Sequence, residues 1–222
     1  MAEAAWRRAL AGLEEPSLVA PTAPREATIP QSMRSSLGEE ETARLVAWAR
    51  ERGVTVAGVV QAAWALVLGR LLGRDDVVFG LTVSGRPADL VGVEDMVGLF
   101  VNTVPFRARI DAAESLEAFV ERLHREQVAL LDHQHVRLAD VQQWAGHQEL
   151  FDTGMVFENY PAESQKVEAD FDVVRTGGYN GTHYSLNLVA ALRGSQLELE
   201  LSYRADVVDG GRVREVLGWL ER

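Results

Sequence analysis

The chain has 222 residues, enough to bury a substantial core as one large domain or two small ones. Its formal net charge of -11 leaves no basic patch to neutralise phosphates, which argues against a nucleic-acid or anionic-membrane surface. It has no cysteine, which excludes a disulfide framework, a thiolate nucleophile and a cysteine-ligated metal.

No apolar run reaches the length of a membrane span, and MAEAAWRRALAGL lacks the apolar region of a signal peptide, so the sequence reads as cytoplasmic. Ala2 to Leu13 predicts a helix with Trp6, Leu10 and Leu13 on one face. The crossing that follows, with Pro16, Pro21 and Pro24, is predicted to hold no regular structure. A helix ahead of such a crossing reads as the tail of something upstream, with Met1 marking a cut. Glu26 to Ser35 predicts a weak strand that Pro30 confines to a sheet edge. Ser36 and Glu39 predict a capping box for a helix running to about Arg52, with Leu45, Trp48 and Ala49 inward. Thr55 caps the next helix, which stops at Gly73 and is apolar nearly all round, as a central buried helix must be.

Val77 to Val83 and Val97 to Arg109 read as two strands buried on both faces, apolar and rich in β-branched residues. The connection Ser84 to Glu94 is long for a hairpin and carries Gly85, Pro87 and Gly92, so it is expected to reach for something else. Asp111 and Glu114 predict a second capping box, for a helix to about Leu131 with Leu116, Phe119, Val120, Leu123, Gln127 and Leu130 as its buried stripe. Asp132 to Arg137 break that pattern, and a short helix, Leu138 to Ala145, turns Val141 and Trp144 inward. Leu150 to Asn159 reads as a strand, and Tyr160 to Gly181 is too long for an ordinary connection. Thr182 to Leu192 and Gln196 to Arg204 are two more strands. The second alternates Leu197, Leu199, Leu201 and Tyr203 against Glu198, Glu200 and Ser202, so one face is wet. Asp209 caps a last helix with Val213, Val216, Leu217 and Leu220 inward. The order α-β-α-α-β-β-α-α-β-β-β-α predicts an α/β (α+β) two-layer sandwich, a mixed β-sheet with flanking helices.

No complete catalytic apparatus is visible. His133 and His135 flank Gln134, and with His124 they can be drawn as a metal site, but no carboxylate sits at a spacing that completes one. His147 is expected in solvent and His183 in the core. Ser84 lacks the G-x-S-x-G of a nucleophile elbow, and GRLLGRDD is a helix and its stop rather than a phosphate loop. Arg86, between Gly85 and Pro87, is either a solvated or locally paired cation or one with a functional partner. Asn102 interrupts the apolar run GLFVNT. A buried amide must be hydrogen-bonded, so it is expected to tie two backbones together, with ligand contact as the other reading. Glu158 and Asn159 end a strand beside the long excursion, a common location for site residues.

GRDDVVFGLTVSGRP, with MVGLFVNTVPFR after it, resembles the fifth conserved motif of nonribosomal peptide synthetase condensation domains, Gly98, Phe100, Asn102 and Thr103 being its motif residues. DHQHVRLADVQQWAG resembles the sixth through His133 and Gln134, although Val136-Arg137-Leu138 replace the usual Pro-Phe-Glu. LFDTGMVFENYP resembles the stretch near the seventh, and THYSLNLVA with LELELSYRADVVD resembles the closing strands. The resemblance covers essentially the whole chain.

It implies a chloramphenicol acetyltransferase-like fold of two similar lobes, of which this chain matches the C-terminal one. The catalytic HHxxxDG of the first lobe is missing, and no adjacent histidine pair occurs. Residues 1–25 would then be the interlobe helix and linker, and 26–222 the lobe itself. The loop 84–97 would floor the active site and 160–181 would latch onto the first lobe. Arg86 is implied as the partner of the HHxxxDG aspartate, Asn159 as a tunnel residue, and Asn102 as a support.

The family joins a carrier-protein-bound acyl or peptidyl thioester to an aminoacyl acceptor as an amide, in the biosynthesis of antibiotics and other secondary metabolites. The substrates ride on the phosphopantetheine arms of the carrier proteins, and no cofactor is bound directly. The step needs a base near the amine and donors for an oxyanion. The chain supplies neither alone, so no residue is assigned as catalytic and it is expected to be inactive by itself. Implied partners are the N-terminal lobe and peptidyl or acyl carrier proteins, with a dimer of the isolated lobe as one way to cover its apolar surface. The alternatives are a non-catalytic module that binds a carrier protein or tailoring enzyme, and a self-sufficient acyltransferase using His133 or His135.

Overall fold

The computed structural model describes residues 1–86, 90–158 and 182–222, and the regular elements follow the predicted order. They are α1 (Ala2–Ala9), β1 (Gln31–Leu37), α2 (Glu39–Glu51), α3 (Val56–Leu72), β2 (Asp76–Val83), β3 (Asn102–Arg109), α4 (Leu116–Val128), α5 (Leu138–Ala145), β4 (Thr153–Glu158), β5 (Leu186–Arg193), β6 (Gln196–Tyr203) and α6 (Gly210–Leu220). Short 3-10 turns form at Val93–Asp95 and Leu131–His133. The strands make one mixed sheet in the order β1-β6-β5-β4-β2-β3. β4 runs parallel to β2 and β5, and the other neighbours are antiparallel.

Strand alternation decides where the core lies. Val77, Phe79 and Leu81 sit opposite Ala108, Phe106 and Val104, and the rings of Phe79 and Phe106 stack at 4.7 Å. Leu197, Leu199, Leu201 and Tyr203 are buried on β6 while Glu198 is exposed, so the predicted wet face is there. Helix α3 lies among α2, α4, α6 and β2, which is why it needs apolar residues all round. Its Trp64, Ala65 and Leu68 are fully buried. Thr55 caps it by accepting from the Gly58 amide at 3.0 Å, and Gly73 ends it at φ +65°.

Several predicted boundaries move, each for a local reason. The α2 cap is Gly38, not Ser36, because Ser36 belongs to β1; Glu41 completes only the reciprocal half by accepting from the Gly38 amide at 3.0 Å. Ser115 caps α4, accepting from Ala118 at 3.2 Å, since Asp111 and Glu114 instead form the turn before it. Leu116 is therefore the first helical residue and 61% exposed, outside the buried stripe. The edge strand β1 begins directly after Pro30. Thr182 lies outside β5, making an isolated bridge with Thr28, and Leu150 and Phe151 are buried ahead of β4 rather than in it. No single helix among the described residues is long and apolar enough to cross a membrane.

The N-terminal segment is bound to the rest of the chain throughout. The helix α1 stops at Ala9, yet Trp6, Leu10 and Leu13 are all buried, against α5 and the turn at His133. Beyond Gly12, Ser17 bridges in parallel to Phe151, and its hydroxyl accepts from the Val78 amide at 2.8 Å. The proline-rich crossing thus lacks helix and strand but is held by specific bonds.

Candidate functional site

The β2–β3 connection is closed at its base and exposed at its tip. β2 runs out at Val83, opposite Asn102, so residues 97–101 have no strand to pair with and β3 starts five residues later than the apolar run predicts. The chain turns at Gly85, φ +63°, where a Cβ would stand 1.8 Å from the Phe100 carbonyl oxygen. Only glycine permits that closure. Next to it, Arg86 donates through Nη1 to the Val93 carbonyl and through Nη2 to the Met96 carbonyl at 2.9 Å. Its guanidinium also lies 4.3 Å from the centroid of the Phe100 ring. Val93 is buried beneath, whereas Leu90, Val91, Met96, Val97, Leu99 and Val101 are exposed, with Val91, Val97 and Leu99 at 93%, 103% and 94%. Gly98 lies in this exposed run, and a Cβ on it would stand 3.1 Å from the Phe100 ring. An exposed apolar crest of this kind is a candidate interaction surface.

At the base of the crest, Asn102 joins two backbone segments. Its amide donates to the carbonyls of Gln134 at 2.7 Å and Val136 at 2.8 Å. From the other side, the Trp6 indole donates to the His133 carbonyl at 3.0 Å. His133 and Gln134 therefore enter this arrangement through their backbone. His135 is exposed, and no three histidine, aspartate or glutamate side chains gather as a metal site among the described residues. Asn102→Ala should cost about 1–2 kcal/mol, because the two carbonyls lose their donors. Amide exchange should speed up over residues 131–137 and stay unchanged in α3, as read by hydrogen-exchange mass spectrometry.

Thr103 points to the opposite face, towards Tyr184. There Gly80 and Gly154 leave bare backbone under aromatic rings: a Cβ would stand 2.6 Å from Phe151 at Gly80 and 3.1 Å from Tyr184 at Gly154. Burial pushes the Tyr184 phenol up, opposed in smaller measure by its hydrogen bond with Thr103. His183 lies against Tyr184, ring centroids 4.2 Å apart and tilted by 41°, and is exposed, not in the core, because it lies outside the ladder of β5. His147, expected in solvent, is half-buried, with its Nε2 3.2 Å from the Leu13 carbonyl.

A second cluster went unread in the sequence. Asp152 is 1% exposed, and its carboxylate oxygens accept from Val19 N at 2.7 Å, Ala20 N at 2.8 Å and Ser185 Oγ at 2.8 Å. The Arg25 guanidinium stands 3.7 Å away. At the far end of β6, buried Arg204 donates to Asp206 at 2.6 Å and also to the Pro24 carbonyl. That guanidinium holds the Asp206 carboxyl below the usual aspartate range. The available signal was an acid inside an otherwise apolar strand entrance, LFDTGMVF.

The wet face of β1, β6 and β5 forms an open concavity of about 860 Å³. Its charges are paired among themselves: Arg34 with Glu200 at 2.8 Å, and Arg193 with Glu158 at 3.0 Å and Glu198 at 3.3 Å. Asn159, the 160–181 excursion and residues 87–89 lie outside the described residues.

Residues 2–219 match the family described as Condensation domain. The chain is 36% identical to one of the linear gramicidin synthase proteins of Brevibacillus parabrevis over 97% of its own length and 3% of that protein. It is 34% identical to surfactin synthase subunit 3 of Bacillus subtilis over 92% of its length and 16% of that protein. Among solved structures, it matches the first condensation domain of the CDA synthetase with a TM-score of 0.76 and 24% identity, covering 99% of this chain and 50% of that one. The X-domain from teicoplanin biosynthesis matches with a TM-score of 0.82 and 23% identity, over 99% and 53% of the two chains. The chain thus spans a small part of the synthetases and about half of these two solved chains.

Proposed function

The chain belongs to the condensation-domain family, and from that premise we propose that it is the C-terminal lobe of such a domain, acting in amide-bond formation on carrier-bound substrates in the cytoplasm. The observation that carries this reading is the apolar crest at 90–101, which Gly85 and Arg86 close and Asn102 anchors beside the His133–Val136 backbone. A lobe that works beside another needs such a surface. The absence of HHxxxDG from the sequence and the span of about half a condensation domain are in keeping with it.

In this reading the first lobe brings the base for the attacking amine, and this chain brings a wall of the tunnel and the floor loop. Residues 1–25 are the interlobe helix and linker, and 160–181 the latch. The loop sets the Arg86 guanidinium, with donors beyond those used on Val93 and Met96, towards the aspartate of HHxxxDG, which orients that motif electrostatically. Asn159 lines the tunnel. The peptidyl or acyl carrier proteins deliver their thioesters on phosphopantetheine arms, and nothing in this scheme requires a tightly held cofactor.

The test is complementation. Two loaded carrier proteins are incubated with this chain, with a separately produced HHxxxDG lobe, and with both, and amide product is followed by mass spectrometry. Product is expected only with both lobes present, and product from this chain alone would sink the proposal. Carrier binding by this chain with no amide product in any mixture would favour a non-catalytic binding module. Without the other lobe, the crest is expected to be covered by a second copy, seen in sedimentation as a dimer that dissociates when the HHxxxDG lobe is added.

A further inference from the structure

We infer that Arg86 is a positioning residue that folds its own loop: it preforms the apolar crest before any partner arrives, in addition to any charge pairing it makes across lobes. The inference rests on the lobe reading for its functional meaning, but its structural part does not need it.

Three contacts converge on this one side chain, and all lie within 15 residues of it. The Val93 and Met96 carbonyls, which it binds, bracket the 3-10 turn Val93–Asp95. The Val93 carbonyl also accepts from the Met96 amide at 3.3 Å, so the guanidinium adds a second donor to the bond that closes this turn. The Phe100 ring, which it covers at 4.3 Å, belongs to the residue whose carbonyl closes on Gly85. One planar cation thus links the start, middle and end of the loop. The geometry suits guanidinium and not ammonium, because two divergent donors and a flat face are used at once.

The consequence concerns the crest. Val97, Leu99 and Val101 are exposed, and Val93 is the buried apolar side chain beneath them, so apolar burial holds the crest at one point and leaves 97–101 without a core of its own. Leaving those side chains turned outward costs hydrophobic free energy, and an unbraced loop would collapse them onto the lobe. The bonds to Val93 and Met96 and the stacking on Phe100 oppose that collapse. Arg86 has five N–H donors, of which these carbonyls take two, so the brace and an external carboxylate are compatible. Preformation lowers the ordering cost of lobe docking.

The experiment reads the loop without the other lobe. Hydrogen exchange over residues 90–101 is measured on the 222-residue chain, at a concentration where sedimentation shows a monomer, with Arg86→Lys and Arg86→Gln, and tryptophan fluorescence reports whether the core around Trp64 is intact. The brace predicts at least about tenfold faster exchange in Arg86→Gln, from losing a bond network of roughly 1.4 kcal/mol or more. Arg86→Lys should recover only part of it, since it keeps the charge but not the fork. Wild-type-like exchange in Arg86→Gln overturns the inference, as does a wild-type loop that already exchanges at the rate of an unfolded chain. In the two-lobe mixture, the brace predicts a weaker half-saturating concentration of the second lobe with the maximal rate less affected. If the rate alone falls and exchange is unchanged, Arg86 acts only across lobes, which overturns the brace and leaves the proposed function standing.

Discussion

Replacing Asp152 by alanine is expected to lower stability by about 3–5 kcal/mol, a large fraction of what a domain of this size has to lose. The substitution strands two half-buried backbone amides, Val19 and Ala20, and the buried Ser185 hydroxyl, around a carboxylate that is itself 1% exposed. Each of those donors then carries its own desolvation cost. Asp152→Asn is not a mild control. An amide offers one acceptor oxygen, and its NH₂ would face a donor, so it should recover little of the loss. Urea denaturation gives the magnitude, and limited proteolysis between residues 14 and 26 should show which segment is released. A cost below about 1 kcal/mol would mean that the crossing is held by its side-chain packing instead.

The consequence reaches beyond stability, because Asp152 sits where three segments meet. It stands one residue before β4, it binds the hydroxyl just before β5, and it holds the crossing that leads from α1 to β1. Arg204, at the end of β6, reaches the same crossing through the Pro24 carbonyl. The position of α1 on the sheet, and with it the indole that supports His133, depends on this anchorage. In the two-lobe reading, the same anchorage would fix the direction from which the first lobe enters.

Most of the fold was legible in the sequence, since periodicity carries it. Leu197 to Tyr203 alternates because one face of β6 is buried, and α3 is apolar nearly all round because it packs among α2, α4, α6 and β2. What failed was local competition. Ser36-x-x-Glu39 spells a capping box, but the ladder with β6 holds Ser36 and hands the cap to Gly38. Val97 to Val101 reads as the start of an apolar strand buried on both faces, yet β2 has ended by then, and Val97, Leu99 and Val101 face outward. That miss falls on the surface assigned to function, where pattern and burial part company. Asp152 was unreadable for another reason. A buried carboxylate satisfied by distant backbone amides leaves no motif, only an acid in an apolar context.

Gly85→Ala and Gly92→Ala are expected to differ sharply, although both replace a glycine of positive φ in the same loop. At Gly92, φ +77°, an added Cβ meets nothing within 4 Å, so the cost is the left-handed strain alone, about 1 kcal/mol. At Gly85 the Cβ would overlap the Phe100 carbonyl oxygen at 1.8 Å. That obstacle is backbone, with no rotamer to move it aside, so the base of the loop must open. Opening it pulls Phe100 from under Arg86 and parts β3 from its first partner, Val83. The global cost stays modest, about 1–3 kcal/mol, because the loop lies outside the core. The functional cost should be large: at least about a hundredfold loss of amide formation in the two-lobe mixture, against less than about threefold for Gly92→Ala, since docking geometry off by an ångström is enough for that. Thermal unfolding and product formation are measured on both variants. Equal behaviour of the two would show that closure at Gly85 is not what presents the crest, and the loop would lose its place as the organising feature of the site.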